Sequence, residues 1–196
     1  MGSASTCVEV FCEDVAHERF LDTLVRRLGA EEGIGIVSRL RCARGGHGRV
    51  LEELTAFLRA SQTSPELLVV AIDANCNRWN PARRAIEDVI DRSRFPRHVV
   101  ACPDPHIERW LLADPTSLHR VLGAKANPGR RKCARDHYKN VLRRALNAAG
   151  HRVTLDGAEF AAEIVASMDL FRAGKAEPSL GHCIDDLRQT LREAAR

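Results

Sequence analysis

Residues 67–75 read LLVVAIDAN, and this stretch decides the fold class. The six consecutive apolar residues from Leu67 to Ile72 are typical of a strand covered on both faces, as in a parallel sheet. The run ends at Asp73, and ligands of open α/β sheets bind outside the carboxyl ends of the strands. The stretch therefore predicts a central parallel strand with a polar site at its end.

Three weaker β-prone runs accompany this strand. They are residues 6–11 (TCVEVF), 35–40 (GIVSRL) and 98–101 (HVVA). Amphipathic patterns, with apolar residues three and four positions apart, predict a helix after each of the first three strands. These helices cover about residues 16–28, 49–60 and 81–92. The alternation predicts an α/β fold with a parallel, doubly wound, four-stranded sheet flanked by helices.

Beyond residue 106 the pattern is helical. We expect five helices and a loop at Gly174 to Pro178. The helices cover about residues 106–112, 115–122, 134–149, 157–168 and 179–194. Asp114, directly before Pro115, is predicted to be the N-cap of the second of these helices. The sequence therefore predicts an α/β domain over 1–114, with a basic helical extension over 115–196 packed on it.

Composition narrows the class of protein. No stretch approaches the roughly 18 apolar residues of a membrane span, and the N-terminus lacks the basic and apolar regions of a signal peptide. The seven cysteines are odd in number, and no pair has C-x-x-C spacing. This pattern favours buried, unpaired thiols over zinc ligands or disulfides, and hence a reducing, cytoplasmic location.

Acidic residues follow three of the four predicted strands. Glu13 and Asp14 come after the first, Asp73 after the third, and Glu108 just beyond the fourth. Because parallel strands end at the same edge of a sheet, we expect these side chains to lie together. Mg²⁺ and Mn²⁺ prefer such hard oxygen ligands. The alternative for Glu13 or Asp14 is a cap on the following helix.

Three segments that carry these acids follow one another along the chain: residues 8–21, 67–75 and 105–114. Their sequences and order resemble the TOPRIM domain, and more narrowly the small TOPRIM proteins related to the nuclease half of overcoming-lysogenization-defect (OLD) enzymes. VEVFCED (residues 8–14) and HERFL (17–21) are similar to the family's opening, V-E-G-x-x-E/D-x-x-F-L. This similarity places Glu13 at the invariant glutamate. LLVVAIDAN is similar to the strand that leads into D-x-D, with Asp73 at the first aspartate.

The third segment, PHIERWLLAD, is similar to a P-x-x-E-x-W-L-L-A-D element of the small members and places Glu108 at its acid. The resemblance covers about residues 6–114. Three positions depart from it: Asp14 stands in place of a glycine, His17 in place of the second acid, and Asn75 in place of the second aspartate. The last two departures each remove a negative charge from a site built for divalent cations.

The resemblance implies a metal-dependent nuclease that uses Mg²⁺ or Mn²⁺. Glu13 would be the main metal ligand and general base, and Asp73 a further ligand. Asn75 and His17 would be weaker ligands, through a carbonyl oxygen and an imidazole nitrogen. Glu108 would be a ligand at a second site or a positioning group. Because two negative charges are missing, there are two alternatives: the site holds one ion in place of two, or it has no catalytic activity.

A basic stretch runs from Lys125 to Arg144, where Asp136 is the single acid. We expect it to contact a DNA backbone, because basic side chains in a loop and along one face of a helix can contact successive phosphates. Docking on a partner protein and a solvated helix face are the alternatives. The predicted contacts are Lys125, Arg130, Arg131, Lys132, Arg135, Lys139 and Arg143.

The expected function is that of an endonuclease, or a nuclease subunit, acting on DNA in an anti-phage defence complex. Nothing in the sequence resembles an ATPase, so the resemblance implies an ABC- or SMC-like ATPase partner, with a homo-oligomer as a further assembly and no membrane contact. The chief alternative is a catalytically degenerate subunit that binds nucleic acid or the ATPase. A receiver- or hydrolase-like phosphotransfer domain also uses strand-end acids, but the paired downstream lysine that it requires is missing.

Overall fold

The computed structural model describes residues 5–43, 45–129, 131, 133–134 and 136–194. In this part of the chain, four strands form one sheet in the order β2-β1-β3-β4, and every neighbouring pair is parallel. The predicted α/β class with a parallel four-stranded sheet is therefore confirmed. The strands are β1 (Ser5–Cys12), β2 (Gly35–Cys42), β3 (Leu67–Ala71) and β4 (His98–Ala101).

Helices connect the strands and make up the C-terminal part of the described chain. The first three follow β1, β2 and β3 and provide the crossover connections that parallel strands need. The helices are α1 (Val15–Glu31), α2 (Gly46–Ala60), α3 (Trp79–Glu87), α4 (Ile107–Leu111), α5 (Pro115–Leu122), α6 (His137–Ala148), α7 (Ala161–Ser167), α8 (Leu170–Ala176) and α9 (Pro178–Ala194).

Apolar residues cover both faces of the sheet, because alternate strand residues point to opposite sides. Val69 and its neighbours on one face join a large cluster that includes helices α1 and α4 to α9. Val70 and its neighbours on the other face join a smaller cluster with α2 and with Ile86 of α3. This two-sided burial explains the unbroken apolar run of β3, which is fully buried.

The C-terminal helices belong to the same core as the sheet. Helix α9 packs on β3 and β4, and α7 packs on α1. Buried Leu187 of α9 and Val165 of α7 lie in one continuous cluster with Val10 of β1. The residues after 114 therefore supply much of one covering layer of the sheet.

The structure differs from the sequence prediction at residues 174–178, where we expect a loop. Helix α8 runs through Gly174 and turns directly into α9. A Cβ on Gly174 would lie 2.9 Å from the Cα of Gly181, so only glycine allows the two helices to approach this closely. The glycine that indicates a loop in the sequence is instead a helix contact.

No described helix has the length and apolar character needed to cross a membrane.

Candidate functional site

The carboxyl ends of β1, β3 and β4 meet at one edge of the sheet. Backbone hydrogen bonds tie the loop after β3 to the loop after β4: the Ala74 N–H donates to the Pro103 carbonyl and the Asn75 N–H to the Pro105 carbonyl, both at 2.9 Å. The Asp73 N–H donates to Oε1 of Glu13 at 2.9 Å. The loops thus bring the acids after β1 and β3 together, as the topology predicts.

His17 links the two neighbouring aspartates of the site. Its Nδ1 lies 2.9 Å from Oδ1 of Asp14, and its Nε2 lies 2.9 Å from Oδ1 of Asp73. The imidazole is fully buried. Asp14 also caps α1 by accepting from the N–H groups of Ala16 and His17 at 2.9 and 3.0 Å. The cap alternative therefore applies to Asp14, and Glu13 is directed at the β3 end.

His106 belongs to the site although no sequence motif indicates it. Its Nδ1 lies 3.3 Å from Oδ2 of Asp73, so the two oxygens of this carboxylate each face one histidine. The signal available in the sequence is its place just before Glu108, at the start of α4 after β4. Position alone does not distinguish it from an ordinary loop residue.

The electrostatics show an excess of negative charge at the strand ends. Burial raises the pKa of Glu13, and the charge of Asp73 raises it further. Burial also raises the pKa of Glu108, with Asp73 contributing again, although Lys139 opposes the shift. Carboxylates that raise one another's pKa form a site where a bound cation is stabilised.

The histidines offset part of this charge. Burial disfavours the charged form of His17, but the charges of Asp73 and Asp14 outweigh it and raise its pKa well above the ordinary value. The hydrogen bond to Asp73 raises the pKa of His106. Burial alone would raise the pKa of Asp73, but His17 and His106 outweigh this effect, so the pKa is lowered. His17 and two helix N–H groups lower the pKa of Asp14 to about 2, against the effect of burial.

A cleft of about 370 Å³ lies at these strand ends, and neither Glu13 nor His17 is among the residues that line it. Lys139 of α6 forms part of its wall, and its Nζ lies 4.0 Å from Oε1 of the buried Glu108. Lys139 also pairs with Asp156 at 3.8 Å. The cleft therefore combines carboxylates with a cation. Its lining residues are Asp14, Asp73, Asn75, Cys76, His106, Glu108, Cys133, Asp136 and Lys139.

The donor chemistry of the cleft fits a hard divalent cation, but the side chains are in a closed arrangement. Within the described ranges, no three His, Cys, Asp or Glu side chains are grouped so as to hold a metal ion. The reason is that His17 and His106 face the oxygens of Asp73, while Oε1 of Glu13 accepts from the Asp73 N–H. Binding of a metal at Asp73 would require this carboxylate to exchange a histidine partner for the ion.

Asn75, the predicted weak ligand, has a clear role in the backbone. Its φ of 53° lies in the left-handed region, which asparagine tolerates better than most residues. Asn75 is exposed, and its Nδ2 donates to the Asp73 carbonyl at 3.2 Å. Asn75 thus shapes the turn that carries Asp73 into the cleft.

The predicted nucleic-acid contacts lie in different places in the structure. Lys139 lies in the cleft, and Arg143, one helical turn on, pairs with Asp156 at 3.6 Å. Lys125 and Arg131 are exposed on the loop before α6. Three further predicted contacts lie outside the described residues: Arg130, Lys132 and Arg135.

The cysteines give a mixed outcome. Cys12, Cys102 and Cys183 are buried free thiols, as predicted. For Cys76 and Cys133 the prediction of buried, unpaired thiols is wrong, because they are exposed and form a disulfide with Cα atoms 5.1 Å apart. The pair is separated by 57 residues in sequence, so no short-range spacing reveals it. Both residues line the cleft.

Comparisons with known proteins give one family. A family model described as a domain of unknown function, DUF4276, matches residues 12–188. Neither the curated proteins nor the solved structures give a significant match. The matched range begins at the last residue of β1 and ends within α9, so it includes every acid of the cleft and the C-terminal helices. The chain therefore belongs to the DUF4276 family.

Proposed function

We propose that this protein is a metal-dependent phosphodiester hydrolase that acts on DNA. The observation that carries the proposal is the convergence of Glu13, Asp73 and Glu108 at the strand ends, beside Lys139. Glu13 and Glu108 have raised pKa values because burial and neighbouring carboxylates disfavour their charge, and a cation would favour it. The resemblance of the three acid-bearing segments to TOPRIM nucleases supports the same chemistry.

The cofactor of the proposed enzyme is Mg²⁺ or Mn²⁺, held by Asp73 with Glu13 or Glu108. When bound, the ion would polarise the phosphoryl group and favour the ionised form of a bound water. Lys139 would bind a non-bridging phosphate oxygen, since its ammonium already faces the cleft. His106, within 3.3 Å of Asp73, would hold that carboxylate in position. The fully buried His17 occupies the space between Asp14 and Asp73, which favours one ion over two.

Exposed cations on α6, the helix that carries Lys139, and on the loop before it support a polyanionic substrate. Lys125 and Arg131 precede α6, and Arg143 lies one turn beyond Lys139 on that helix. Cations on this segment would contact phosphates without reading sequence. We also propose that the enzyme works in the cytoplasm beside an ABC- or SMC-like ATPase in a defence complex, for which the resemblance is the support.

Plasmid nicking tests the proposed activity. The full-length protein, with and without an ATPase encoded beside it, is incubated with supercoiled plasmid in Mn²⁺ or in EDTA. We expect nicking in Mn²⁺ that is lost in Glu13→Gln and in Glu108→Gln. The matched control is Asp22→Asn, which removes a carboxylate of α1 that pairs with Arg26 at 2.8 Å on the surface. Absence of nicking in both preparations, or equal nicking by all variants, contradicts the proposal.

A second candidate is a catalytically inactive subunit that binds nucleic acid or the ATPase. His17 is the observation that favours it, because a buried imidazole with a raised pKa supplies a positive charge between Asp14 and Asp73, where a metal-binding site would hold an acid. This candidate predicts that DNA or ATPase binding in EDTA equals binding in Mn²⁺ and that no condition yields nicked plasmid. A Mn²⁺-dependent product in the plasmid assay excludes it.

A further inference from the structure

A second cleft, of about 400 Å³, lies next to the first one. Consecutive residues of the same segments line the two clefts: Pro105 the second and His106 the first, then Tyr138 the second and Lys139 the first. Neighbouring Cα atoms are about 3.8 Å apart. A phosphate in the first cleft and a group covalently attached to it could therefore occupy both clefts at once.

The second cleft has an aromatic lining residue, Trp79. Trp79, the first residue of α3, is half-buried, and its ring packs on His182 of α9 with centroids 5.4 Å apart. Pro105 and Pro178 also line the cleft. Stacking on an indole ring is available to every nucleobase because each has a π-face. The other tryptophan, Trp110, is fully buried in the core.

The same cleft contains buried polar groups that could contact the edge of a base. Arg109 pairs with the buried Glu177, and the Arg109 guanidinium also lies 5.3 Å from the centre of the Tyr138 ring. Its Nη1 donates to the Gly129 carbonyl at 3.0 Å. These contacts hold the guanidinium in place. A cleft with an aromatic lining residue and a fixed charged pair is suited to a planar heterocycle with donors and acceptors on its rim.

We propose that the second cleft binds a nucleobase of the DNA strand whose phosphate lies in the first cleft, with Trp79 as the stacking residue. This inference rests on the proposed function for its choice of nucleic acid as the ligand. It adds a contact that the basic surface does not provide, since phosphate contacts are the same for any nucleotide. Single-stranded DNA is the ligand, because its bases are free to leave the stack.

Binding of two labelled oligonucleotides to the full-length protein in EDTA tests the inference. One is a short single strand with all its bases, and the other is an abasic strand of the same length and charge. We expect the base-bearing strand to bind more tightly and to quench tryptophan emission. Trp79→Ala should weaken its binding at least about tenfold, the effect of losing one stacked base. The same variant should leave the abasic strand unaffected, and Trp79→Phe should retain most of the affinity.

The control variant is Phe171→Ala, which removes an aromatic ring that is 72% exposed on α8 and lines neither cleft. Its binding of both strands should equal that of the wild type. Equal affinity of the wild type for the two strands, or failure to bind either, overturns the inference. Because no divalent ion is present, the result is independent of cleavage: discrimination between the strands without any nicking of plasmid in Mn²⁺ would uphold the base cleft and contradict the nuclease proposal.

Discussion

Two aspartates with lowered pKa values have opposite surroundings: Asp73 follows β3, and Asp114 lies between α4 and α5. Asp73 faces two histidines and lines a cleft. Asp114 is 1% exposed, and its two oxygens accept from the Arg172 guanidinium, both at 2.9 Å. It also accepts from the Asp169 N–H at 2.9 Å. Each carboxylate is well satisfied, yet only Asp73 opens toward a space that a ligand could occupy.

The difference lies in the partner. An arginine is always protonated and grips a carboxylate with two parallel N–H groups, so Asp114 is permanently engaged in joining α5 to α8. Each histidine makes only one contact with Asp73, so freeing one oxygen of this carboxylate breaks a single hydrogen bond. A carboxylate held by His17 and His106 can therefore exchange a partner for a cation, whereas one held by Arg172 cannot do so readily. The contrast suggests function at Asp73 and structure at Asp114.

The largest effect that separates the two sites is expected on catalysis. Asp73→Asn should reduce Mn²⁺-dependent plasmid nicking at least about 1,000-fold, because a metal ion contributes several kcal/mol to the transition state. Asp114→Asn should retain nicking within about tenfold at a temperature where it is folded. Initial rates of nicking measure both. The reverse pattern would assign the two aspartates to the opposite roles.

The next effect is on stabilisation by the ion. Mn²⁺ at about 100 times its dissociation constant should stabilise the wild type by about 2.7 kcal/mol, which raises Tm by roughly 5–10 °C in a chain of this size. Asp114→Asn should show the same rise, and Asp73→Asn little or none. Thermal unfolding in Mn²⁺ and in EDTA gives the comparison. Equal rises in all three proteins would show that the ion binds elsewhere.

A smaller effect is expected on intrinsic stability. Asp114→Asn should lower the free energy of unfolding by about 1–2 kcal/mol, since the charged hydrogen bonds to Arg172 are lost while solvent screens the half-exposed guanidinium. Urea unfolding in EDTA measures the change. Arg172→Gln is the matched control, and the double variant should cost less than the sum of the two single changes. Full additivity would contradict the described pairing.

The smallest effect concerns acid stability. The pKa of Asp114 is lowered in the folded state because its hydrogen bonds, chiefly with Arg172, outweigh the effect of burial. Its contribution is therefore present above the unfolded pKa of about 3.9 and is lost as pH falls toward the folded value. The stability difference between wild type and Asp114→Asn should shrink by at most about 1 kcal/mol between pH 5 and pH 3. A difference that widens would mean that the sign of the shift is wrong.

The local surroundings of both aspartates are predictable from the sequence. The apolar run before Asp73 requires a buried strand, and a parallel strand end is where a ligand site forms. Asp114 before Pro115 predicts a helix N-cap, which the structure confirms through its contact with the Ser117 N–H. Both predictions depend on residues within a few positions of the aspartate, where chain geometry alone determines what is near.

The partners across the fold are not predictable in this way. His17 follows Asp14 by three residues, so their contact is a helix-turn effect, but its bond to Asp73 spans 56 residues. The bidentate contact of Arg172 with Asp114 spans 58 residues and requires α8, whose last three residues fall in the loop predicted at 174–178. Such contacts are set by packing of helices on the sheet and have no periodic pattern in the chain.

The disulfide between Cys76 and Cys133 has a consequence for chain topology. It closes a covalent ring of 57 residue steps that contains α3, β4, α4 and α5, and both cysteines line the first cleft. A polymer closed in this way has fewer unfolded conformations, which corresponds to roughly 4 kcal/mol in the chain-entropy account. A single backbone cut inside the ring would leave two fragments still joined beside Asp73. The disulfide at the first cleft thus divides the chain into a covalent ring and two segments outside it, one before Cys76 and one after Cys133.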